Sequence, residues 1–248
     1  MTTPIVLVTG ALSGIGRATA IAFAREGANV VISGRRLDAG RALLKELRDM
    51  GPDAEFVQTD VRHENDVEKL VQATTFRFGR LDIAVNNAGT EGKPGPLINQ
   101  TPESYADTFD TNVLGVLLCM KHQLRVMMPQ GSGSIINVSS TFGQRGGVGA
   151  SIYAASKHAV EGMTKCAALE AAPFGIRVNV VAPGPVDTDM LTRFSGNDEK
   201  KVSLIAGVPL KRMGDPHEIA ESIVFMASHK ASFITGTVLS VNGGKTAM

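Results

Sequence analysis

Seven short apolar runs recur along this chain: IVLV (5–8), NVVIS (29–33), AEFVQ (54–58), LDIAV (81–85), SIINV (134–138), RVNVV (177–181) and TVLSV (237–241). Each is rich in β-branched residues and too short for a helix. Such runs read as strands buried on both faces, the signature of a parallel sheet. Between them lie stretches of helical period, over 14–26, 38–50, 65–78, 102–128, 153–171 and 216–227. Regular strand–helix alternation predicts an α/β fold, a doubly wound parallel sheet of about seven strands with helices on both faces. Two helix starts carry capping chemistry, Thr101-Pro102-Glu103 and Asp215-Pro216-His217-Glu218. No linker divides the 248 residues, and one domain over 1–248 is expected.

Composition narrows the function classes. A formal charge of +1 gives no global field for nucleic acid or an anionic membrane, so neither is expected as a partner. No window approaches a bilayer span. The opening MTTPIVLVTG lacks a basic n-region and a long apolar stretch, so the expected location is cytoplasmic. Cys119 and Cys166 form no CxxC and are expected as small buried apolar residues in a reducing compartment. The five histidines form no metal-ligand pattern, and no metal is expected.

The first strand runs into TGALSGIGRA (9–18), which opens the first helix. Gly10 permits a tight turn, Gly14 lets backbone approach a phosphate, and Gly16 lets helix pack on strand. Ser13 and Ile15 complete a helix start whose free N–H groups suit a pyrophosphate. At the end of the second strand the chain reads SGRRLD, with Arg35 and Arg36 where a carboxylate would favour NAD. A guanidinium grips a 2′-phosphate, so the expected cofactor is NADP rather than NAD, with Arg35 as the main clamp. YAASK (153–157) puts a phenol and an ammonium one helical turn apart. Free tyrosine titrates at about 10, and a neighbouring lysine cation is expected to lower that value into working range.

TGALSGIG, NNAG (86–89), YAASK and PGPVDT (183–188), in this order, resemble the short-chain dehydrogenase/reductases over nearly the whole chain, from Ile5 to Gly244. The resemblance implies a seven-stranded Rossmann-type fold and nicotinamide-dependent oxidoreduction of an alcohol or carbonyl, here a secondary alcohol or ketone. It implies a tetrad of Asn112, Ser140, Tyr153 and Lys157: Tyr153 as acid/base, Ser140 as donor to the carbonyl oxygen, Asn112 as holder of a relay water. Lys157 would also reach a ribose hydroxyl. It further implies adenine contacts from Asp60 and Val61, and ribose contacts at Asn87, Ala88 and Gly89, with Asn86 only bracing strands. Pro183, Gly184, Val186 and Thr188 would seat the nicotinamide carboxamide. A substrate lid is expected over 189–210, with further substrate walls from 144–152 and from the loop after Gly89. A 3-oxoacyl thioester or a sugar such as glucose remains open as substrate, and so does a cofactor-binding regulator without turnover. Small residues on the Tyr153 helix and the family's habit imply a homotetramer.

Overall fold

The computed structural model describes residues 3–247, except for the side chain of Lys200. Among the described residues seven strands form one sheet: β1 (Ile5–Thr9), β2 (Asn29–Gly34), β3 (Ala54–Gln58), β4 (Ile83–Asn86), β5 (Gly133–Val138), β6 (Ile176–Pro183) and β7 (Val238–Val241). Their order is β3-β2-β1-β4-β5-β6-β7, and every pairing is parallel. The strand order reverses direction between β1 and β4. At such a point two loops diverge and leave a crevice outside the strand carboxyl ends.

Nine α-helices among the described residues cover the sheet: α1 (Gly14–Arg25), α2 (Leu37–Asp49), α3 (Glu64–Phe78), α4 (Pro102–Phe109), α5 (Gly115–Gln130), α6 (Ser151–Ala171), α7 (Asp189–Ser195), α8 (Asp198–Ala206) and α9 (Pro216–Ala227). One apolar cluster joins β1, β2 and β6 to α1, α2 and α9. A second joins the opposite sheet face to α3, α5 and α6. These are the two outer layers that the strand–helix alternation predicts. Both expected caps form as capping boxes, Thr101 with Ser104 and Asp215 with Glu218.

Some expectations change. The two outermost strands, β3 and β7, are mostly half-buried, because a sheet edge has a neighbour on one side only. The helix expected over 102–128 is interrupted by a π-helical turn at Asp110–Leu114. There the Gly115 N–H bonds back to Asp110 O, and the wider turn carries Asn112 in a fully buried position. Nothing in the apolar period marks that change of pitch. Cys119 is buried, but Cys166 is exposed on the outer face of α6, and both thiols are free. Among the described residues no helix is long and apolar enough to cross a membrane.

Polar side chains also set the centre of the sheet. Asn86 on β4 donates to Asn137 Oδ1 on β5 (2.9 Å) and to Gln123 Oε1 on α5 (3.0 Å). Gln123 donates back to Asn86 Oδ1 (2.8 Å), and Asn137 donates to Thr164 Oγ1 on α6 (2.9 Å). Asn86 therefore braces strands, as expected. Removing one partner of such a buried set leaves donors and acceptors without water or protein partners. We expect Asn86→Ala to cost about 3 kcal/mol of stability, read as a fall in the urea midpoint at unchanged slope.

Candidate active site

The glycine turn is tight enough to exclude side chains. Gly10 sits at φ +63°, and a Cβ there would lie 2.7 Å from Ala88 Cα. A Cβ on Gly16 would stand 2.3 Å from Gly10 O and 2.4 Å from Asn87 Nδ2. Asn87 holds this turn closed, donating from Nδ2 to Thr9 O (3.1 Å) and Gly10 O (3.0 Å). Thr9 Oγ1 in turn accepts from Asn87 N–H (3.1 Å) and Ala88 N–H (3.2 Å). The amide protons of Asn87 are thus taken up by the turn itself, a duty the motif alone does not reveal. Nothing in the sequence assigns Thr9 this role; there it only opens the TGALSGIGRA turn.

α1 begins at Gly14 with extended Ser13 ahead of it; Ser13 makes no side-chain cap bond, and the first turn holds no acid. Across the crevice, a Cβ on Gly14 would approach Thr188 Cγ2 to 3.1 Å. The approach brings the first-strand turn and the PGPVDT segment to opposite walls of one slot. Gly184 is wedged against Asn242 and donates to Val241 O (3.0 Å), while Pro183 O accepts from Thr141 Oγ1 (3.0 Å). Val186 points into the core and bridges Gly214. Thr188 Oγ1 donates to Val186 O (3.3 Å) and accepts from Leu191 N–H (3.3 Å), capping α7. Its hydroxyl is a structural cap first, a duty the motif alone does not reveal.

At the far end of the slot Arg35 and Arg36 are both exposed. Arg36 reaches back to Leu12 O in the glycine turn (3.4 Å), and Gln58 pins the Arg35 carbonyl (2.8 Å). Asp60 is already gripped by the Arg62 guanidinium, with Nη2 at 2.6 Å from Oδ2. That contact holds its carboxyl below the usual range, with burial opposing and Arg35 adding to the fall. Val61 is buried among Val67, Leu118 and Cys119, with Ala88 packed against them.

The four expected catalytic side chains lie together where β4, β5 and α6 meet. Lys157 is buried and donates from Nζ to Val138 O (3.0 Å), with Nζ 5.7 Å from the Tyr153 ring centroid. Asn112 donates to Thr90 O (2.9 Å) and Ser156 Oγ (3.0 Å) and accepts from Thr90 N–H (2.8 Å). Gly89 lies beside both: a Cβ there would be 3.3 Å from Asn112 Oδ1 and 3.6 Å from Lys157 Nζ. Ser140 begins a 3-10 turn, its Oγ accepting from Phe142 N–H (3.2 Å), and interacts with the Tyr153 phenol. The preceding Ser139 faces the other way, donating to Glu161 Oε1 (2.9 Å).

The electrostatics differ from expectation. Burial pushes the Tyr153 phenol up to about 12, the Ser140 hydrogen bond pulls down, and the Glu91 charge adds to the rise. Burial also lowers Lys157 to about 8, opposed by Glu161. Within the chain itself the lysine therefore does not bring Tyr153 below its ordinary value. Phe142 and Phe194 flank the phenol at centroid distances of 6.1 and 6.4 Å, and this apolar wall outweighs a cation that is itself desolvated.

Phe194 belongs to the expected lid, which folds as α7 and α8. Arg193 on α7 pairs with Glu91 in the loop after β4. A partly exposed pair of this kind contributes about 0–1 kcal/mol, so the aromatic contacts contribute more to seating α7. At the other end of the segment, Lys245 donates to Leu204 O (3.3 Å) and Gly207 O (3.2 Å). Glu91 and Arg193 stand 102 positions apart, with no local signal to pair them.

The chain matches the family model described as Enoyl-(Acyl carrier protein) reductase over residues 10–246. It is 42% identical over 248 residues to the A-factor type gamma-butyrolactone 1'-reductase (1S-forming) of Streptomyces virginiae, covering 99% of this chain and 96% of that protein. The chain belongs to the short-chain dehydrogenase/reductase family. The structure of levodione reductase superposes on this family member with TM-score 0.96 at 36% identity, covering 100% of this chain and 99% of the other. A single-residue variant of actinorhodin polyketide ketoreductase with NADPH gives 0.94 at 36%, covering 99% and 98%. The protein is an oxidoreductase of CH–OH and C=O groups that uses a nicotinamide cofactor. The slot suits such a cofactor: its glycine turn leaves no room for side chains, an acid-free helix start stands ahead of it, and guanidiniums lie at one end. Gly16→Ala should destabilise the fold by about 2 kcal/mol in chemical denaturation and abolish nucleotide binding in calorimetry, because the turn must open to admit a methyl group.

Proposed function

We propose that this chain is an NADP-dependent carbonyl reductase and alcohol dehydrogenase, interconverting a ketone and a secondary alcohol with Tyr153 as proton donor and acceptor. The observation that carries this is the gathering of Tyr153, Lys157, Asn112 and Ser140 at the strand ends: Lys157 Nζ lies 5.7 Å from the Tyr153 ring and beside Gly89 with Asn112, and Ser140 caps the turn whose Phe142 packs against the phenol. NADP(H), when bound, would supply or take up the hydride and would carry a positive charge in its oxidised form.

The chain's own groups handle the oxygen. As charge develops on a carbonyl oxygen, Ser140 Oγ–H donates to it and Tyr153 Oη–H delivers the proton. A phenol held at about 12 stays protonated throughout the neutral range, which suits it as a donor in the reducing direction. Lys157, cationic below about 8, favours the phenolate that remains and offers a ribose-hydroxyl contact. Both Nδ2 protons of Asn112 are taken by Thr90 and Ser156, so a relay water between Lys157 and solvent would donate to an Asn112 oxygen. Arg35 takes the 2′-phosphate, with Arg36 beside it; the remaining slot residues, from Ser13 and Ile15 to Pro183 and Thr188, seat the cofactor chiefly through backbone.

The same reading treats 189–210 as a lid on a single domain spanning 1–248. Phe142 and Phe194 supply an apolar wall fit for a compact carbon skeleton rather than a strongly polar sugar. Homotetramers and a cytoplasmic setting complete the proposal. Ala155, Gly162 and Cys166 lie exposed along one side of α6, and Leu114 and Leu117 are exposed at the start of α5, which supports pairing of these helices between subunits.

Two experiments test the proposal. Tyr153→Phe should lower kcat by about 10²- to 10⁴-fold in a ketone-reduction assay while nucleotide affinity persists. Undiminished turnover, or turnover with oxoacyl thioesters or glucose alone from a mixed panel, would reject it. Arg35→Asp should shift the NADPH/NADH preference toward NADH by about tenfold or more in kcat/KM, the worth of one charge-assisted phosphate contact.

A further inference from the structure

One buried acid has no part in the reaction as described. Glu161 sits on α6 one turn beyond Lys157 and is 7% exposed. Burying a carboxylate is costly unless something uses its charge and lone pairs. Its Oε1 accepts from Ser139 Oγ at 2.9 Å. Ser139 Oγ also points at Lys157 O, at 3.5 Å. Val138, one residue earlier, accepts from Lys157 Nζ at 3.0 Å. Consecutive residues at the end of β5 thus take hold of α6 at two points one turn apart. The next residue, Ser140, is the one that turns toward the phenol.

The 3-10 turn that follows is built around the same carboxylate. A Cβ on Gly143 would stand 2.1 Å from Glu161 Oε1 and 2.4 Å from Ser139 Oγ. Only a glycine lets the turn from Thr141 to Gly143 settle on top of the acid. Ser140 is the cap of that turn.

We propose that Glu161 is a positioning residue for the reaction, which fixes Ser140 through Ser139 and the Gly143 turn and sets a buried anion one helical turn from Lys157. This rests on the assignment of Tyr153, Ser140 and Lys157 made above. Lys157 is faced from α6 by Glu161 and the Tyr153 phenol; the groups around it from the other elements, Val138, Gly89 and Asn112, carry no charge. Glu161 is faced along α6 by Lys157, His158 and Lys165, and by the uncharged Ser139 and Gly143 from the β5 end. The direction follows from burial: desolvation lowers the lysine to about 8 and raises the Glu161 carboxyl, a rise that the Ser139 hydrogen bond and the His158, Lys165 and Lys157 charges oppose, and the Glu161 charge one turn away opposes the fall of the lysine. Without that charge the lysine becomes neutral at a lower pH.

The test is Glu161→Gln, which keeps the shape and an acceptor for Ser139 but removes the charge. Two readouts are taken on the folded, full-length protein. The first is the pH profile of ketone reduction, whose alkaline limb should move to lower pH by about one unit, with kcat falling about tenfold at pH 8 and KM nearly constant. The second needs no turnover and no cofactor: the pH dependence of Lys157 acetylation by acetic anhydride, quantified by mass spectrometry, whose midpoint should fall by a similar amount. Glu161→Asp keeps the charge one methylene short; it should retain the wild-type labelling midpoint while kcat drops, because Ser139 and the turn lose their contact. Should Glu161→Gln fail to fold, a Glu161→Asp protein with a shifted labelling midpoint would overturn the electrostatic half of the proposal, and an unshifted midpoint with reduced kcat would support it. An unmoved limb and an unmoved midpoint in folded Glu161→Gln would overturn the proposal outright. Turnover surviving in Tyr153→Phe would instead reject the underlying assignment, so the two failures are separable.

Discussion

The position of the reacting groups depends on a small buried set of three side-chain amides and one hydroxyl. Asn86, Asn137, Gln123 and Thr164 join the two central strands β4 and β5 to helices α5 and α6. Apolar packing alone would allow a helix to slide along a sheet face at little cost, since it is non-directional. Hydrogen bonds in a dry interior do not permit that, because each displaced donor forfeits its partner. α6 is held at one depth against β5, and Tyr153 and Lys157 are carried to the strand end with it. The bonds from Lys157 to Val138 and from Ser139 to Glu161 then complete the alignment one and two turns beyond Tyr153 along the helix.

The electrostatic character of the site follows from the same closeness. A lysine near a phenol in water would simply stabilise the phenolate. Here Lys157 is buried and Tyr153 half-buried beside aromatic rings, and loss of water moves each toward its neutral form: the phenol rises to about 12 and the ammonium falls to about 8. The aromatic wall of Phe142 and Phe194 that shapes the substrate side is part of the cause. The polar groups that oppose desolvation, Ser140 on the phenol and Glu161 on the lysine, gain influence because water is scarce there.

Much of this is legible without coordinates. The strands lie within one or two residues of the apolar runs, since β-branched clusters bounded by turn residues have few other uses. YAASK and TGALSGIG lie where their spacing implies, on a helix and on a strand–helix turn. What the sequence hides shares one property: a second duty that appears only on folding. Asn87 reads as a cofactor contact and also ties the glycine turn, through bonds to residues 78 and 77 positions away. Asp60 reads as an adenine contact and is held by Arg62, while Thr188 reads as a carboxamide contact and caps α7. The π-helical turn at Asn112 is not legible in the apolar period, which is read over windows longer than a single turn.

By itself the sequence determined the alternation of strands and helices, the family, and which residue types stand ready for phosphate and proton chemistry, because these depend on local period and short spacings. Tertiary structure alone decided how far each ionisable group is stripped of water, and that Glu91 meets Arg193 and Glu161 meets Ser139. Those outcomes depend on direction and dielectric, which arise only when segments far apart in the chain are packed against each other.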